Sequence, residues 1–269
     1  MAITHRIRHP IAIRKRFCDN IGTSDRKVLP KRGEVSIRKG RGLSICRDMR
    51  TNVYIDGGNL YHGLLRYHPE LKWLDLEKFV RTLVREDHEI CSIKYFTSRI
   101  KTHPYDPKPI ERQNVYLQVL ASFSSVSTIE GYYQSSKKWL PAVFEKCGSC
   151  DQSRSGMLRI YRLEEKRTDV NLATEMIFDA VQNKADSFVL LSGDSDFIGP
   201  LDRIRGELGK QVVVFNPRNC KSDLMYHANY YRTIPADLAA RCQLPDTVKV
   251  GSRTFMRPSA WAKSTTPEC

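Results

Sequence analysis

Two short apolar runs in the C-terminal half set the strongest limit on how this chain can fold. The segments SFVLLSG (187–193) and QVVVFNP (211–217) are apolar through their centres, as strands buried on both faces are. Between them, IGPLDRIRGEL (198–208) has the apolar spacing of a helix. A strand, a helix and a second strand in this order predict a right-handed crossover and a parallel sheet covered by helices.

The chain before and after these runs repeats the same alternation. The predicted fold class is therefore α/β, a three-layer Rossmannoid arrangement with a mainly parallel sheet. The other predicted strands are 52–56, 89–100, 127–133 and, at one edge, 230–234, and the other predicted helices are 74–86, 110–123, 168–182 and 224–228. In the helix at 168–182, the apolar spacing places Val170, Ala173, Ile177, Ala180 and Val181 on one buried stripe.

Residues 134–164 do not fit the alternation and are interpreted as an inserted hairpin or flap. Cys147 and Cys150 lie near its centre with the Cys-x-x-Cys spacing of half a zinc site. No second pair follows at the spacing of a zinc ribbon, so a zinc site would need ligands from elsewhere in the chain. We predict that the two cysteines lie on a flap near the site, without a complete four-ligand zinc centre.

The positive charge of the chain is concentrated at its beginning. Of the net charge of +14, residues 1–50 contribute +10, with 14 Lys and Arg against 4 Asp and Glu. The basic pI is therefore not in itself a sign of nucleic-acid binding by the folded body. Residues 1–48 lack periodicity and are interpreted as a disordered extension, or as sequence translated from an upstream start codon. A basic arm that contacts RNA phosphates and an organelle-targeting peptide are the alternatives.

Three segments are predicted: the basic extension 1–48, a folded domain at 49–243, and a tail at 244–269 that wraps on the domain. The start of the chain lacks the apolar core of a secretory signal, and no run approaches the ~18 apolar residues of a membrane span. We expect a cytoplasmic protein without membrane contact, whose cysteines are thiols or metal ligands. The sequence leaves the oligomeric state open and allows a homo-oligomer.

Acidic side chains follow the predicted strands at three separate places in the chain. Asp56 ends the first strand, and Asn59 lies three residues later. Asp194 and Asp196 follow the strand SFVLLSG, and Asp169 opens the helix at 168–182. In an open parallel sheet, ligands bind beyond the carboxyl ends of the strands. The predicted topology therefore brings these acids to one rim.

Each acid also has a purely structural interpretation. Asp169 is placed where a helix N-cap or a dipole partner would lie. The segment SGDSDF around Asp194 is good turn and cap chemistry, and Asp56 precedes a plain Gly-Gly turn. The common position of all three at strand ends or helix starts on one side of the sheet favours a shared site.

Carboxylates that converge on one rim favour a bound cation. They repel each other and lose hydration unless a cation neutralises them. Oxygen ligands without a His cluster suit Mg²⁺ or Mn²⁺ and not Zn²⁺. Such an ion can hold a phosphate oxygen, lower the pKa of a water molecule and stabilise in-line displacement at phosphorus. Metal-assisted phosphodiester hydrolysis is the reaction class that follows.

Three ordered segments of the chain resemble the signatures of a known family. VYIDGGNLYHG (53–63), EEKRTDVNLATEMI (164–177) and VLLSGDSDFIGPL (189–201) are similar to the three signature segments of NYN domains. LGKQVVVFNP (208–217) and the late LPDTV and RPSAW segments resemble the LabA-like members. The resemblance covers roughly residues 52 to 262.

This resemblance implies a PIN-like fold, a divalent metal and ribonuclease activity. It assigns Asp56, Asp169 and Asp194 to the metal centre and Asp196 to the same site as a further acid. Asn59 and Asn171 correspond to polar neighbours that orient water or phosphate. Because all four acids are present, the chain does not have the pattern of an inactive copy, although fold alone does not guarantee activity.

Basic and aromatic residues beside the acids are candidates for RNA contact. Lys166 and Arg167 precede Asp169, and Lys137 and Lys138 are interleaved with aromatic side chains. Stacked bases and phosphate contacts would explain that mixture, and solvated surface charges with core aromatics would explain it as well. The aromatic residues concerned are Tyr132, Tyr133 and Trp139.

The function predicted is therefore hydrolysis of single-stranded RNA by a metal-dependent ribonuclease. The main alternative is an RNA-binding or regulatory module of the same fold that does not cleave. A hydrolase with an Asp nucleophile is disfavoured, because its Asp-x-Asp motif should end the first strand. Here the first strand ends in Asp56-Gly-Gly and the Asp-x-Asp pair lies on a later one.

Overall fold

The computed structural model describes residues 49–100, 108–142 and 156–262, and the predicted extension at 1–48 lies outside them. Its main sheet has seven strands. They are β1 (Met49–Asp56), β2 (His88–Ser98), β3 (Val126–Ala142), β4 (Gly156–Lys166), β5 (Ser187–Leu191), β6 (Gln211–Asn216) and β7 (Tyr230–Thr233).

The strand order is β4-β3-β2-β1-β5-β6-β7, which places β1 near the middle of the sheet. All neighbouring strands are parallel except β4, which runs antiparallel to β3 at one edge. The carboxyl ends of β1 and β5 are therefore adjacent at the same rim. The predicted α/β fold class with a mainly parallel sheet is confirmed.

Helices connect the strands and cover the sheet. Within the described residues, no helix has the length and apolar character needed to cross a membrane. The helices are α1 (Gly57–Leu60), which continues as a π-helical turn at Tyr61–Leu65, α2 (Leu76–Leu83), α3 (Lys108–Leu120), α4 (Thr168–Val181), α5 (Ile198–Asp202), which continues at Arg203–Glu207, α6 (Leu224–His227) and α7 (Ala236–Arg241).

Alternate residues of the central strands face opposite layers, which explains why these strands are apolar throughout. Val53 and Ile55 belong to the core that includes side chains of α2 and α3. Tyr54, between them, belongs to the core under α4 and α5, together with Leu190 of β5. Burying one such side chain contributes about 1.5–3 kcal/mol to folding, so both layers depend on the same two strands.

The first strand is longer than predicted. It begins at Met49, whose backbone N–H donates to the Asp87 carbonyl oxygen at 3.1 Å. Arg50 extends the pairing through its guanidinium, which lies 2.9 Å from the Asp186 carboxylate. These polar anchors are not visible in the apolar pattern from which the strand was predicted.

The segment predicted as an inserted hairpin or flap forms an antiparallel hairpin that continues the sheet. β3 runs without a break through the predicted strand 127–133 and on to Ala142. The chain then returns as β4, which pairs with β3 from Tyr132 opposite Lys166 outward. We call residues 132–142 with 156–166 the β3–β4 arm. Cys147 and Cys150 lie outside the described residues.

The buried face of α4 agrees with only part of the predicted stripe. Ala180 is buried, and Ala173 and Ile177 pack against the core as predicted. Val170 and Val181 are instead 68% and 62% exposed, whereas Leu172 and Met176 are fully buried. Both faces of the helix carry apolar residues, so periodicity alone misplaced the two ends of the stripe. Its buried side is fixed instead by packing against the sheet under the core that contains Tyr54.

The chain after α7 forms a small hairpin and a final turn. The hairpin strands are β8 (Thr247–Val250) and β9 (Arg253–Met256), neither of which was predicted. In the last turn, the Trp261 ring lies 6.2 Å from the rings of both Trp73 and Tyr116, measured between centroids. This contact closes one side of a pocket described below.

A buried carboxylate under the sheet ties α4 to the central strands. Asp179 is fully buried and accepts hydrogen bonds from Tyr54 Oη at 2.7 Å, Lys94 Nζ at 2.6 Å and Lys184 Nζ at 3.0 Å. Burial by itself would raise the pKa of Asp179, but these bonds outweigh it and hold the pKa below the ordinary value of 3.8. The carboxylate therefore stays ionised and paired.

Replacing Asp179 by Asn should lower the free energy of unfolding by about 3 kcal/mol, because Lys94 would keep its charge without its shortest partner. The loss should be full above the ordinary carboxyl pKa of 3.8 and should shrink as the pH falls below it, since the wild-type carboxylate is then protonated too. Urea unfolding at pH 7 and at pH 3 measures both. Asp237→Asn, which removes an exposed pair with Arg241, is the control, and equal midpoints for the two variants would contradict the prediction.

Candidate active site

The carboxylate of Asp56 is the most buried acid at the rim. It ends β1 and is only 4% exposed. Its Oδ1 accepts from the Asn59 backbone N–H at 2.8 Å, and its Oδ2 accepts from Ser192 Oγ at 2.9 Å. Burial raises the pKa of Asp56 to about 6 against the effect of these two bonds, and repulsion from Asp169 and Glu165 adds to the rise.

The turn after β5 is fastened to the turn after β1 by polar side chains. Ser192 Oγ, which donates to Asp56, also accepts from the Asp194 backbone N–H at 3.1 Å. In the other direction, Asn59 Oδ1 accepts from the Gly193 N–H at 3.0 Å. Asn59 is buried, and this bond gives it a role in holding the turn.

Asp194 is both a cap and a site residue by position. Its Oδ1 accepts from the Asp196 backbone N–H at 3.1 Å and so caps the short 3-10 helix Ser195–Phe197. The interpretation of the SGDSDF segment as a helix cap is therefore correct for Oδ1 of Asp194. Asp194 is half-buried and Asp196 is exposed, so both remain open to the rim.

Asp169 faces these acids from the first turn of α4. It is not the N-cap, which is Arg167 and makes no side-chain capping bond. Desolvation, followed by repulsion from Asp194, Glu165 and Asp196, raises the pKa of Asp169. The structure thus brings together the four predicted acids, which come from β1, α4 and the turn after β5.

Glu165 is a site residue that the sequence analysis missed. It lies at the end of β4, and its Oε1 accepts from Thr168 Oγ1 at 2.6 Å. Its Oε2 accepts from Tyr133 Oη at 3.4 Å, and its charge contributes to the raised pKa of Asp56 and of Asp169. The sequence feature that could have identified Glu165 is its position in the segment EEKRTDV, shortly before Asp169. Strand alternation in the hairpin then places Glu165 on the same face as Tyr133.

Two glycines allow the first turn to pass close to the neighbouring strand and the acids. A Cβ on Gly57 would lie 2.6 Å from the Phe96 carbonyl oxygen, which no real side chain tolerates. A Cβ on Gly58 would lie 3.4 Å from Asp56 Oδ1 and 3.5 Å from Glu165 Oε2. Gly58 therefore lies between two carboxylates and leaves the space between them open.

The donor groups at the rim fit a hydrated Mg²⁺ or Mn²⁺ ion. They are carboxylates and a serine hydroxyl, the hard oxygen ligands that these ions prefer. Among the described residues, no three Asp, Glu, His or Cys side chains lie close enough to ligate one ion directly. Mg²⁺ usually keeps several waters and takes one or two carboxylates directly, so an ion at this rim would contact the remaining acids through water.

The predicted basic residues of the arm divide between its two faces. Cross-strand pairs place Tyr133 opposite Glu165, and Lys137 lies four pairs further out, so strand alternation puts Lys137 on the face of the site. Lys138 and Lys166 are on the opposite face, where their Nζ atoms lie 3.4 and 3.1 Å from the Glu164 carboxylate. We call these the inner and the outer face of the arm.

Arg167 and Asn171 differ in how they are placed. Arg167 adopts a left-handed backbone conformation, with φ of 73°, between β4 and α4. Such a conformation costs about 1–3 kcal/mol for a residue with a Cβ, and its guanidinium lies 4.9 Å from the Tyr132 ring centroid. Asn171 is half-buried in the first turn of α4, two residues beyond Asp169, and so points away from it.

A pocket of about 360 Å³ opens beside the acids. One wall is α1 with its π-helical turn, and the other is α3 with the C-terminal turn. Gly58 and Glu165 line it where it meets the acids. Most of the remaining lining is aromatic or basic: Tyr61, Tyr95, Tyr116, Tyr133, Trp261, His62, Lys72 and Arg112.

The comparison with protein families decides where this chain belongs. The model of the NYN domain matches residues 50–235, about the whole of the main sheet and its helices. The chain belongs to the NYN domain family. This confirms the resemblance of its three signature segments, and it places the protein in the PIN-like nuclease superfamily.

Two further proteins are similar to this NYN domain protein. One is 6-hydroxy-3-succinoylpyridine 3-monooxygenase HspA of Pseudomonas putida, which is 30% identical over 237 residues, covering 79% of this chain and 75% of that protein. The other is a protein of unknown function from Vibrio parahaemolyticus with a crystal structure. It is 20% identical, with a TM-score of 0.44, over 71% of this chain and 96% of that one.

Replacing Ser192 by Ala should destabilise the protein by about 1.5–3 kcal/mol at pH 8, because it removes a hydrogen bond to a buried, ionised carboxylate. Ser195→Ala, an exposed serine in the same turn, should change stability by less than about 0.5 kcal/mol. Urea unfolding of the two variants provides the comparison. Equal losses would mean that the Ser192 bond to Asp56 does not hold the turn.

Proposed function

We propose that this NYN domain protein is a metal-dependent ribonuclease that hydrolyses phosphodiester bonds of single-stranded RNA. The observation that carries the proposal is the meeting of Asp56, Asp169 and Asp194 at one rim, from three separate elements. Each would be costly beside the others without a counter-charge. Membership of a nuclease superfamily supports the same reaction class.

In this proposal, Asp56, Asp169 and Asp194 would hold a hydrated Mg²⁺ or Mn²⁺ ion in part through its water molecules. When bound, such an ion polarises the phosphate and makes a nearby water more acidic. Asp56 provides a fixed anchor, since both of its oxygens are held by hydrogen bonds. Asp196 and Glu165 are positioned to accept a proton from the attacking water or to orient it. Gly58, which has no side chain, keeps the space next to Asp56 and Glu165 free of a Cβ.

The inner face of the arm is the proposed path of the RNA strand away from the acids. Tyr133 lies nearest to the acids, followed by Lys137 and Trp139, with Arg159 paired opposite Trp139. Trp139 is 60% exposed, and Lys137 and Arg159 are exposed as well. Aromatic rings that alternate with cations suit a single strand, since bases can stack while phosphates meet positive charge.

Changing Asp194 to Asn should reduce RNA cleavage by ~10²-fold or more, the scale of one preorganised electrostatic group. The substitution keeps the shape and the cap, because Asn caps a helix about as well as Asp. Stability should therefore be unchanged or slightly improved, since repulsion with Asp169 is relieved. Metal-dependent cleavage of generic single-stranded RNA, with chelator as a blank, and melting curves measure both.

Asp202→Asn is the matched control for Asp194→Asn, because Asp202 is an exposed acid whose ion pair is with His227 and not at the rim. It should cleave like the wild type. Equal cleavage by the wild type and Asp194→Asn would remove Asp194 from the mechanism. RNA binding without any metal-dependent cleavage by the wild type would instead identify a non-catalytic RNA-binding module.

Lys137→Ala should weaken binding of single-stranded RNA, whereas Lys138→Ala should leave it nearly unchanged. The two lysines are neighbours in sequence and both exposed, but only Lys137 lies on the inner face, and Lys138 is paired with Glu164. Loss of one phosphate contact should also reduce the slope of log affinity against log salt by about 0.7. Binding titrations at several salt concentrations provide the test, and equal effects of the two variants would rule out a one-sided path.

A second candidate function is suggested by the Pseudomonas putida relative, whose name gives a hydroxylated pyridine acid as its substrate. The aromatic pocket beside Glu165, with Lys72 and Arg112 in its lining, favours binding of a small aromatic acid. Binding of 6-hydroxypyridine-3-carboxylate, measured by calorimetry, tests this candidate. Absence of binding together with RNA cleavage would eliminate it.

A further inference from the structure

The pocket beside the acids has the size and the lining of a site for one planar ring. Its volume of about 360 Å³ is near the lower end of small-molecule pockets, which span roughly 300–1,000 Å³. Tyr61 is on one wall and Tyr116 with Trp261 on the other. A flat ring in this pocket would therefore have aromatic side chains among its neighbours from both walls.

The aromatic rings of the pocket are held in place by contacts on their far sides. The Tyr116 hydroxyl donates to the Leu74 carbonyl oxygen at 2.7 Å, so its ring is fixed while its face lines the pocket. Trp261 is packed on Trp73. Tyr61 is 40% exposed and lies under Lys72 Nζ, which is 5.2 Å from its ring centroid. The wall formed by Tyr116 and Trp261 is therefore held in place, whereas the wall at Tyr61 is open to solvent, so a ring can enter from that side.

The pocket also has hydrogen-bonding groups and positive charge. Burial, with help from Arg66 and Arg218, lowers the pKa of His62, so its imidazole is neutral near pH 7 and can donate one hydrogen bond and accept another. Lys72 and Arg112 supply cations along the lining. A heteroaromatic ring with an attached anion matches both features.

The pocket reaches the Glu165 carboxylate and comes near Asp56 at Gly58, since both Gly58 and Glu165 line it. A Cβ on Gly58 would lie 3.4 Å from Asp56 Oδ1 and 3.5 Å from Glu165 Oε2. A group in the pocket beside Gly58 is therefore close to these two carboxylates. A nucleotide has this construction, because its base is joined through the sugar to phosphates that flank it.

We propose that the pocket binds one unstacked base of the RNA, next to the phosphate that lies at the acids. This inference rests on the proposed ribonuclease function and adds a base subsite to it. The base stacks between Tyr61 and the Tyr116–Trp261 wall, one flanking phosphate lies at the acids, and the other faces Lys72 and Arg112. A free aromatic acid would use the ring and the cations but would gain nothing from the nearby carboxylates, so the place of Gly58 and Glu165 in the lining favours the nucleotide.

The test measures binding of uridine and adenosine 5′-monophosphates in chelator, with ribose 5-phosphate as the probe that lacks a base. The nucleotides should bind on the order of 10-fold more tightly than ribose 5-phosphate, since base–aromatic stacking is worth about 1–3 kcal/mol. Tyr61→Ala should remove most of this difference. Tyr67→Ala should retain it, because Tyr67 is a 79% exposed tyrosine of the same segment that does not line the pocket.

A second variant guards against misfolding as the cause of lost binding. Arg112→Gln should weaken binding of the nucleotides and of ribose 5-phosphate to a similar degree, whereas Tyr61→Ala affects mainly the nucleotides. Melting curves accompany both. Equal binding of the probes with and without a base by the wild type would overturn the proposal. So would a Tyr61→Ala protein that is folded and binds nucleotides normally.

The nucleotide-binding measurement is independent of cleavage because it is made in chelator, which removes divalent metal. Nucleotide binding that depends on Tyr61, in a protein that never cleaves RNA, would support the subsite while the ribonuclease proposal fails. Metal-dependent cleavage at the same rate by the wild type and by Tyr61→Ala would support the ribonuclease proposal and contradict the base subsite. Binding of 6-hydroxypyridine-3-carboxylate that depends on Tyr61, without nucleotide binding, would overturn the base subsite and assign the pocket to a small aromatic acid.

Discussion

The organisation of the rim depends on one buried carboxylate. Asp56 ends the central strand β1 and is nearly inaccessible to water, a position that is costly for an acid unless donors surround it. Its donors are Ser192 and the Asn59 backbone, so they come from the turns after β5 and after β1. The side chain that would anchor a metal therefore also fixes the two turns that carry or approach the other acids.

Strand alternation in the β3–β4 arm separates the cations that are paired with Glu164 from the cations on the face of this carboxylate. The arm has cations on both faces, but Glu164 pairs with Lys138, Lys166 and Arg162 on the outer face. The inner face keeps Lys137 and Arg159 available to an anion. Negative charge at the rim and positive charge beside it on one face suit the RNA-cleaving metal site proposed above.

Much of the fold was predictable because its strands and helices have distinct apolar patterns. The double-sided burial of β5 and β6 and the acids at strand ends follow from the sequence and from the topology of parallel sheets. The start of β1 at Met49 depends on the ion pair of Arg50 with Asp186, which joins residues far apart in the chain. Such contacts have no local signature, so the strand was predicted too short.

The site was predicted less completely than the fold. Asp56, Asp169, Asp194 and Asp196 were identified because they follow strands or open a helix. Glu165 was missed because its role depends on the register of β3 with β4, which places it opposite Tyr133. The aromatic pocket was missed for a related reason, since its walls come from helices and a C-terminal turn whose packing no motif encodes.

The junction between β4 and α4 contains a single residue, Arg167, held in a left-handed conformation. No loop separates the arm from the helix whose first turn carries Asp169. Because only this residue intervenes, the register of β4 against β3 also fixes where α4 begins and in which direction its first turn presents the Asp169 carboxylate.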